Sequence, residues 1–313
     1  MKKLDFIVIG AQKSATTSLF KYLNAHSDIY MPSAKEAPFY SQDDLYSNGW
    51  EPFAEENFKD AERSKLWGTA SPQYMSDWRV PARISEHNPN VRLIAVLRNP
   101  AERAWSHYLM ACRRGMENRH FDEVVKELTE EKNARKNRDL LPPDHSSGYS
   151  SDSLESHYYL AWSEYGRILS QYLEYFPKQQ LKIVLMDDLQ HNTSARVREI
   201  LEFIGADSTR LPTNLSKVYH KGGAQKIIPD TWKKSLKQTP GVRHLWHLLP
   251  KNLKGYFNYW YEVVNVRKDK NLAISNQARL ALSDFFKADL DRLQHDFSID
   301  LPWPQYPIEK GVN

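Results

Sequence analysis

The alternation of short apolar runs with longer helical patterns is what most limits the possible fold of this chain. Apolar residues cluster in four runs that predict strands, at residues 6–9, 66–69, 92–97 and 181–186. Helices are predicted at residues 17–25, 100–113, 121–145, 154–176, 194–204 and 277–293. Strands and helices that alternate in this way are typical of an α/β fold with a central parallel sheet flanked by helices. We therefore expect a single domain over residues 1–313.

The composition narrows the class of protein. Cys112 is the single cysteine in the sequence, so a disulfide framework within the chain is excluded. A net charge of +4 suits an anionic small ligand and does not require a nucleic acid. The apolar run at residues 6–9 is too short for a signal peptide, and no stretch approaches the roughly 20 apolar residues of a membrane span. The sequence therefore predicts a soluble, cytoplasmic protein.

A loop of small and hydroxyl residues follows the first predicted strand and leads into a helix. From residue 10 to 18 it reads Gly-Ala-Gln-Lys-Ser-Ala-Thr-Thr-Ser. Free amides and the helix dipole make such a junction an anion site. In the ATP-binding pattern of Gly, four residues and Gly-Lys-Ser/Thr, Ala15 replaces the second glycine and Thr16 replaces the lysine. The one lysine, Lys13, lies earlier, so the loop predicts a P-loop-like oxyanion site rather than an ATP site. A plain strand–helix turn is the alternative.

A second candidate anion site begins where the strand at residues 92–97 ends. Arg98 follows that strand, and a guanidinium at the carboxyl end of a strand can bind a phosphate with two hydrogen bonds. Ligands of open α/β sheets bind at this edge. Ser106, two turns into the next predicted helix, can reach the same oxygens. We expect Arg103, between the two, to be a residue of the helix surface.

Together the two segments resemble those of the sulfotransferases that use PAPS (3′-phosphoadenosine 5′-phosphosulfate), especially the branch with the heparan sulfate sulfotransferases and related bacterial enzymes. The resemblance implies transfer of a sulfuryl group from PAPS to an acceptor hydroxyl, with PAP (adenosine 3′,5′-bisphosphate) as product and no metal. It implies that Lys13 is catalytic, at the bridging oxygen of the leaving group, and that Arg98 and Ser106 bind the 3′-phosphate. A late Tyr-His-Lys-Gly-Gly turn matches the turn that closes over the nucleotide. The donor-binding residues implied in this way are Lys13, Ser14, Ala15, Thr16, Thr17, Ser18, Arg98, Ser106, Tyr219, Lys221, Gly222 and Gly223.

The same resemblance implies a carboxylate base. In the heparan sulfate branch the base is a glutamate in a Lys-Glu segment after the first helix, and Lys35-Glu36 match it. Glu36 is therefore the catalytic base that the resemblance implies, and an ordinary surface dipeptide is the alternative. The cytosolic branch uses a histidine, so His107 and His220 are rival candidates. We expect His107 to face away from Ser106, because adjacent helical residues point about 100° apart.

The sequence leaves the acceptor open. Many of the resembling enzymes have a lysine where this chain has Ala70, which disfavours a heavily sulfated acceptor. A carbohydrate, a glycolipid and a hydroxylated natural product all fit. Residues 217–270 carry twelve Lys or Arg against three Asp or Glu, with aromatic residues between them. This segment is either a solvated basic face or a docking surface for the acceptor.

Two other functions compete with sulfuryl transfer. A nucleotide kinase could use Asp187 and Asp188, after the strand at residues 181–186, to hold magnesium. The missing lysine at position 16 counts against it. A non-catalytic PAP-binding or scaffold protein is the third possibility, and the presence of both Lys13 and Glu36 disfavours it because a binder needs no base.

Overall fold

The central sheet has five parallel strands, of which four were predicted from the sequence and the short strand β2 was not. The computed structural model of the protein describes residues 2–140, 154–217, 219 and 273–303, and the main chain of residues 225–226 and 266–267. The strands are β1 (Phe6–Gly10), β2 (Ile29–Tyr30), β3 (Leu66–Ala70), β4 (Arg92–Leu97) and β5 (Leu181–Leu185). They lie in the order β2-β3-β1-β4-β5. The prediction of an α/β fold with a central parallel sheet is confirmed.

Two apolar cores, one on each face of the sheet, explain why these runs form strands. Ile7 and Ile9 pack into one core, while Phe6 and Val8 pack into the other. All four side chains are fully buried. A strand covered on both faces needs a continuous apolar run rather than an alternating one, and this is what the sequence of β1 provides.

Helices cover both faces of the sheet, and four short ones had no counterpart in the sequence prediction. The helices in the described part of the chain are α1 (Thr16–Leu23), α2 (Asp43–Ser47), α3 (Trp50–Asn57), α4 (Val80–His87), α5 (Pro100–Arg114), α6 (Phe121–Thr129), α7 (Glu131–Arg138), α8 (Tyr158–Ala161), α9 (Tyr165–Leu173), α10 (Met186–His191), α11 (Thr193–Ile204) and α12 (Asn276–Phe297). The unpredicted helices are α2, α3, α4 and α10, none longer than eight residues. Such short segments give too few repeats for a periodic pattern to stand out.

Two predicted helices are wrong as single elements. The stretch from residue 121 is divided into α6 and α7 because Glu130 has an extended conformation, with φ −60° and ψ 129°. The stretch from residue 154 begins as a 3₁₀ turn, continues as α8 and restarts as α9. Glu164, the residue before α9, has φ −80° and ψ 73°, and its carboxylate binds Arg138 at 2.9 Å. Polar contacts with neighbouring elements therefore interrupt a pattern that the sequence alone reads as continuous.

The strand order places a crevice between the carboxyl ends of β1 and β4. From β1 the chain moves to β2 and β3 on one side, and then crosses to β4 and β5 on the other. Ligands of open parallel sheets bind where the connections diverge in this way. The amide of Ala11, the first residue after β1, donates to Val96 O of β4 at 2.8 Å. The first residue of the loop after β1 is therefore hydrogen-bonded to β4 near the carboxyl end of that strand.

Outside the sheet, residues 225–226 and 266–267 form a short antiparallel pair, β6 (Gln225–Lys226) with β7 (Val266–Arg267). Most of the basic, aromatic segment 217–270 lies outside the described residues. In the part of the chain that the structure describes, no helix is both long enough and apolar enough to cross a membrane.

Candidate functional site

The loop between β1 and α1 has an unusual main chain. Lys13 and Ala15 have positive φ angles of 73° and 59°. The left-handed region costs a non-glycine residue about 1–2 kcal/mol, and such strain is common at functional sites. Gly10 precedes the loop, and a Cβ atom there would lie 2.6 Å from the Met75 side chain. Close packing therefore requires the glycine that the sequence pattern singled out.

The first turn of α1 presents its main-chain amides to this loop. Ala15 is the N-cap residue and has no side-chain oxygen to accept from them. Among the described residues, no main-chain acceptor outside the helix bonds the amides of Thr16, Thr17 or Ser18. Ser14 is fully buried, and its Oγ has no hydrogen-bond partner in the described structure. The loop therefore offers several unused donors to an anion.

Lys13 lies in a strongly positive environment. Burial is the main reason that its pKa is lowered to about 8. The positive charges of Arg113, Arg114, Arg103 and Arg98 lower it further, in that order. The charges that act most strongly on Lys13 are therefore all positive, like that of Lys13 itself. A half-buried ammonium among arginines is destabilised until an anion neutralises it, so this environment favours an anionic ligand.

Arg98 lies between the end of β4 and the start of α5, and β4 is the neighbour of β1, the strand that leads into the Lys13 loop. Its Nη2 atom is 3.2 Å from Glu102 Oε2, and both side chains are about a quarter to a third exposed. An exposed ion pair of this kind contributes roughly 0–1 kcal/mol, so a phosphate can displace it at small cost. Ser106 is half-buried on the same helix. Asn99 caps the helix by accepting from Ala101 N and Glu102 N, which fixes its start beside the crevice.

The prediction that Arg103 is a surface residue is wrong. Arg103 is fully buried, and its guanidinium donates to Ser163 Oγ at 2.6 Å and to the carbonyl of Tyr159 at 2.6 Å. Burial lowers its pKa to about 10. The guanidinium joins α5 to the chain between α8 and α9. An arginine with five donors can satisfy several buried acceptors at once, which explains how it is accommodated there.

His107 belongs to the same buried network. Its Nδ1 lies 3.3 Å from Arg103 Nη1, and its Nε2 lies 2.9 Å from Glu155 Oε1. Burial first, and the Arg103 charge second, lower the pKa of His107 well below its usual value. The ring is packed against Tyr159 and Trp162. The ring is thus neutral and fully buried among the described residues, which is the environment of a structural histidine.

Glu36 lies at the same edge of the sheet as the Lys13 loop, beside the end of β3. Its Oε2 accepts a hydrogen bond from Gln73 Nε2 at 2.8 Å, and its Oε1 lies 3.2 Å from Lys35 Nζ. About half of the Glu36 side chain is exposed. The next residue, Ala37, is bound to Ser71 by two hydrogen bonds. The carboxylate is therefore held by the segment that follows β3, the strand next to β1, and is open to solvent.

Ser18 and Tyr219, both predicted to bind the donor, contact each other directly. Ser18 Oγ donates to Tyr219 O at 3.2 Å and accepts from Tyr219 N at 3.3 Å. Tyr22 adds a bond from its hydroxyl to Lys217 O at 2.8 Å. This contact brings the late turn to α1, 201 residues away in sequence. The rest of that turn (His220, Lys221, Gly222 and Gly223) lies outside the described residues.

Sequence reasoning missed several residues of this region. Arg113 and Arg114, in the last turn of α5, act on Lys13 although they are 100 residues away in sequence. Tyr165, the first residue of α9, is fully buried, and the Arg103 charge and the Ser14 hydroxyl both lower the pKa of its hydroxyl. Burial nevertheless raises the pKa of Tyr165 to about 12. The basic pair was visible in the sequence, but its approach to Lys13 follows from the path of α5.

The acids that favoured a kinase do not approach the Lys13 loop. Asp187 and Asp188 lie in α10, after the edge strand β5, and β4 separates that strand from β1. Asp188 lies 3.8 Å from Arg196 Nε. The arrangement offers no direct support for a magnesium site beside the loop.

Comparison with known proteins identifies the family. A family model described as a sulfotransferase domain matches residues 3–272. The chain belongs to the sulfotransferase family. The family resemblance predicted from the two anion segments is thereby confirmed.

Curated relatives share shorter segments. The membrane-associated sulfotransferase kil1 of Dictyostelium discoideum is 39% identical over 106 residues, which are 33% of this chain and 22% of kil1. Heparan sulfate glucosamine 3-O-sulfotransferase 5 of Mus musculus is 29% identical over 102 residues, 33% of this chain and 29% of that protein. The chain thus matches less than a third of either relative. A sulfotransferase from Alicyclobacillus acidocaldarius has the same fold, with a TM-score of 0.65, 22% identity and coverage of 96% of this chain and 98% of the other.

Proposed function

We propose that the chain transfers a sulfuryl group from PAPS to an acceptor hydroxyl. The observation that carries the proposal is the environment of Lys13. Its ammonium lies in a loop with unused amides, and the charges that act most strongly on it are all positive. A site of this kind favours a ligand with several negative charges concentrated at one end. PAPS is such a ligand, and it carries the activated sulfuryl group that this family transfers.

The residues at the crevice fit the two charged groups of the donor. The fully buried Ser14 hydroxyl, with the first amides of α1, would bind the 5′-phosphate side. Arg98 and Ser106, on the β4 side, would bind the 3′-phosphate. The Ser18 hydroxyl is bonded to Tyr219, so its main-chain amide is the group that faces the donor in this proposal. Lys221, Gly222 and Gly223 keep their predicted role over the nucleotide.

Lys13 and Glu36 have different roles in the proposed reaction, one at the leaving group and one at the acceptor. Lys13 places a positive charge where the departing phosphate oxygen becomes more negative, which stabilises that charge as the sulfur–oxygen bond breaks. Glu36 accepts the proton of the acceptor hydroxyl as its oxygen bonds to sulfur. The half-exposed carboxylate suits this role because an acceptor can reach it from solvent. The products of this reaction are the sulfate ester and PAP.

The acceptor is proposed to be the hydroxyl of a carbohydrate or of a hydroxylated natural product. The mouse relative acts on heparan sulfate according to its name. Ala70 stands in this chain where many of the heparan sulfate enzymes that it resembles have a lysine, which favours an acceptor with fewer sulfate groups. The side chain of alanine offers no charge to a sulfated sugar.

Mass spectrometry with isotopically labelled PAPS tests the proposal directly. The purified protein would be incubated with PAPS and a panel of desulfated oligosaccharides, simple glycosides and phenols. We expect at least one product heavier by one labelled sulfuryl group, together with one PAP for each product formed. A parallel incubation with ATP is the control. Phosphorylated products from ATP, with none from PAPS, would contradict the proposal in favour of a kinase.

A further inference from the structure

The proposed base has a partner on the sheet, Gln73, three residues beyond the end of β3. Gln73 Nε2 donates to Glu36 Oε2 at 2.8 Å, and only 8% of Gln73 is exposed. Lys35 Nζ lies 3.2 Å from the other oxygen, Oε1. The two oxygens of the carboxylate are therefore distinguished, with a neutral amide at Oε2 and a cation at Oε1.

The main chain on both sides of this contact is held by buried hydroxyls. Ser71 Oγ accepts from Ala37 N at 3.1 Å and donates to Ala37 O at 3.0 Å. The Tyr74 hydroxyl donates to the same Ala37 carbonyl and accepts from Tyr40 N at 3.2 Å. Tyr172, on α9, donates to the carbonyl of Tyr74 at 2.7 Å. All three hydroxyl side chains are buried.

These bonds restrict the main chain around Gln73. Gln73 lies between Ser71 and Tyr74, which are both fixed to the segment that carries Glu36, and its own side chain is largely buried, which limits the positions open to its amide. The cost of leaving such a buried group unpaired is about 1–3 kcal/mol. Lys35, in contrast, is the neighbour of Glu36 in sequence and reaches it through a flexible side chain, a kind of contact that fixes geometry poorly.

We propose that Gln73 is a positioning residue for sulfuryl transfer, which holds Oε2 of the Glu36 carboxylate and keeps that carboxylate ionised. A hydrogen bond donated to a carboxylate favours its charged form. A base also works best when its orientation is fixed before the reaction. The inference rests on the proposed role of Glu36 as the base.

The direct test is a titration of the Glu36 carboxyl group by ¹³C NMR in the protein without donor, with ¹³C-labelled glutamate and Glu36→Gln to assign the signal. In Gln73→Leu the carboxylate loses a donor, so its titration midpoint should move to higher pH by about one unit. Gln73→Glu keeps the size of the side chain and adds a like charge, so it should move the midpoint further in the same direction. Lys35 is present in every variant and does not account for a difference between them.

Gln180→Leu is the matched control. Gln180 also donates through Nε2, to Pro89 O at 2.9 Å and to Val91 O at 3.1 Å, but it lies before β5, at the opposite edge of the sheet. We expect this variant to leave the Glu36 titration unchanged. The rate of PAP release from PAPS, with excess methyl glucoside as the hydroxyl probe, gives the second readout. The acidic limb of kcat should move with the midpoint in the Gln73 variants and stay in place in Gln180→Leu.

The outcomes separate the two claims. An unchanged Glu36 titration in both Gln73 variants would overturn the positioning role, whatever Glu36 does in catalysis. If the Glu36 titration shifts in the Gln73 variants but Glu36→Gln keeps its full kcat, Glu36 is not the base. The hydrogen bond from Gln73 then has no role in catalysis. A shifted titration with a shifted kcat limb, and a large loss in Glu36→Gln, would support both.

Discussion

At the residue scale, Lys13 combines two costly features. Its main chain is in the left-handed region, and its ammonium is half-buried near four arginines. Binding of the donor would compensate for both features, since its phosphate groups place negative charge beside an ammonium whose strongest charged neighbours are all positive.

The lowered pKa of Lys13 gives a first prediction. With a pKa of about 8, the free protein loses this positive charge as the pH rises past about 8, whereas a bound phosphate favours the charged form. The affinity for PAP should therefore fall above that pH, by up to about tenfold per unit. In Lys13→Arg the charge persists, so the fall should disappear. Calorimetric titrations across this range decide the matter, and the same decline in both proteins would show that another group is responsible.

A second prediction concerns Glu36. Glu36→Gln keeps the size of the side chain but removes its basicity, so kcat should fall by about 10²- to 10⁴-fold. The affinity for PAP should hardly change, because Glu36 is proposed to act on the acceptor and not on the nucleotide. Steady-state rates and calorimetry measure the two quantities, with His107→Ala and His220→Ala as controls. Should a histidine variant lose turnover to that extent with an unchanged free energy of unfolding and an unchanged affinity for PAP, while Glu36→Gln stays active, the base is the histidine.

At the element scale, buried polar side chains hold the helices around the site. Arg103 joins α5 to the segment between α8 and α9, and that segment leads to Tyr165 beside the Lys13 loop. Asp289, from α12, accepts from the first amides of α9, Gly166 N at 2.9 Å and Arg167 N at 2.7 Å. The helices thus reach the site through specific hydrogen bonds as well as apolar packing.

The burial of Arg103 supplies a third prediction. Arg103→Lys keeps the charge but cannot reach Ser163 and the Tyr159 carbonyl together, so it should lower the free energy of unfolding by about 1–3 kcal/mol. Arg135→Lys is the matched control, because Arg135 pairs with Glu131 on the exposed face of α7. That change should stay within about 0.5 kcal/mol. Denaturant unfolding measures both, and equal stabilities would mean that the Arg103 contacts contribute nothing.

Helices and strands could be predicted where a local sequence pattern determines them, and not where a contact with a distant residue does. The run at residues 6–9 was predicted correctly because a strand buried on both faces needs a continuous apolar sequence. Gly205 ends α11 with a φ of 83°, as a glycine after a periodic helix suggests. The break at Glu164 was not predictable, because it depends on Arg138, 26 residues away in sequence. Tertiary contacts of this kind produce no periodic pattern in the sequence.

The residues of the candidate site also differ in whether they could be predicted from the sequence. Lys13 and Arg98 could be proposed from sequence because a strand followed by a loop or an arginine has a direct chemical meaning. Gln73 could not be proposed, since an amide that holds a carboxylate is recognised only when both are seen in contact. Arg103 was misjudged because the helical pattern alone does not show that α5 is covered on that side.

At the scale of the whole molecule, the strand order explains how distant segments form one site. The Lys13 loop follows β1 and Arg98 follows β4, and these two strands are hydrogen-bonded neighbours. Residues separated by about 85 positions in sequence are thereby brought to one crevice. The apolar runs in the sequence predicted four of the five strands but not which strands are neighbours, so this juxtaposition came from the family resemblance rather than from the pattern.

The central claim is that the crevice binds a nucleotide with both a 5′-phosphate and a 3′-phosphate. Calorimetry with PAP and with 5′-AMP tests it most directly, because the two ligands differ only in the 3′-phosphate that Arg98 and Ser106 are proposed to bind. We predict that PAP binds more tightly by roughly 2–3 kcal/mol, about 30- to 150-fold, and that Arg98→Gln removes most of this difference. Equal affinity of the unaltered protein for the two nucleotides would contradict the account.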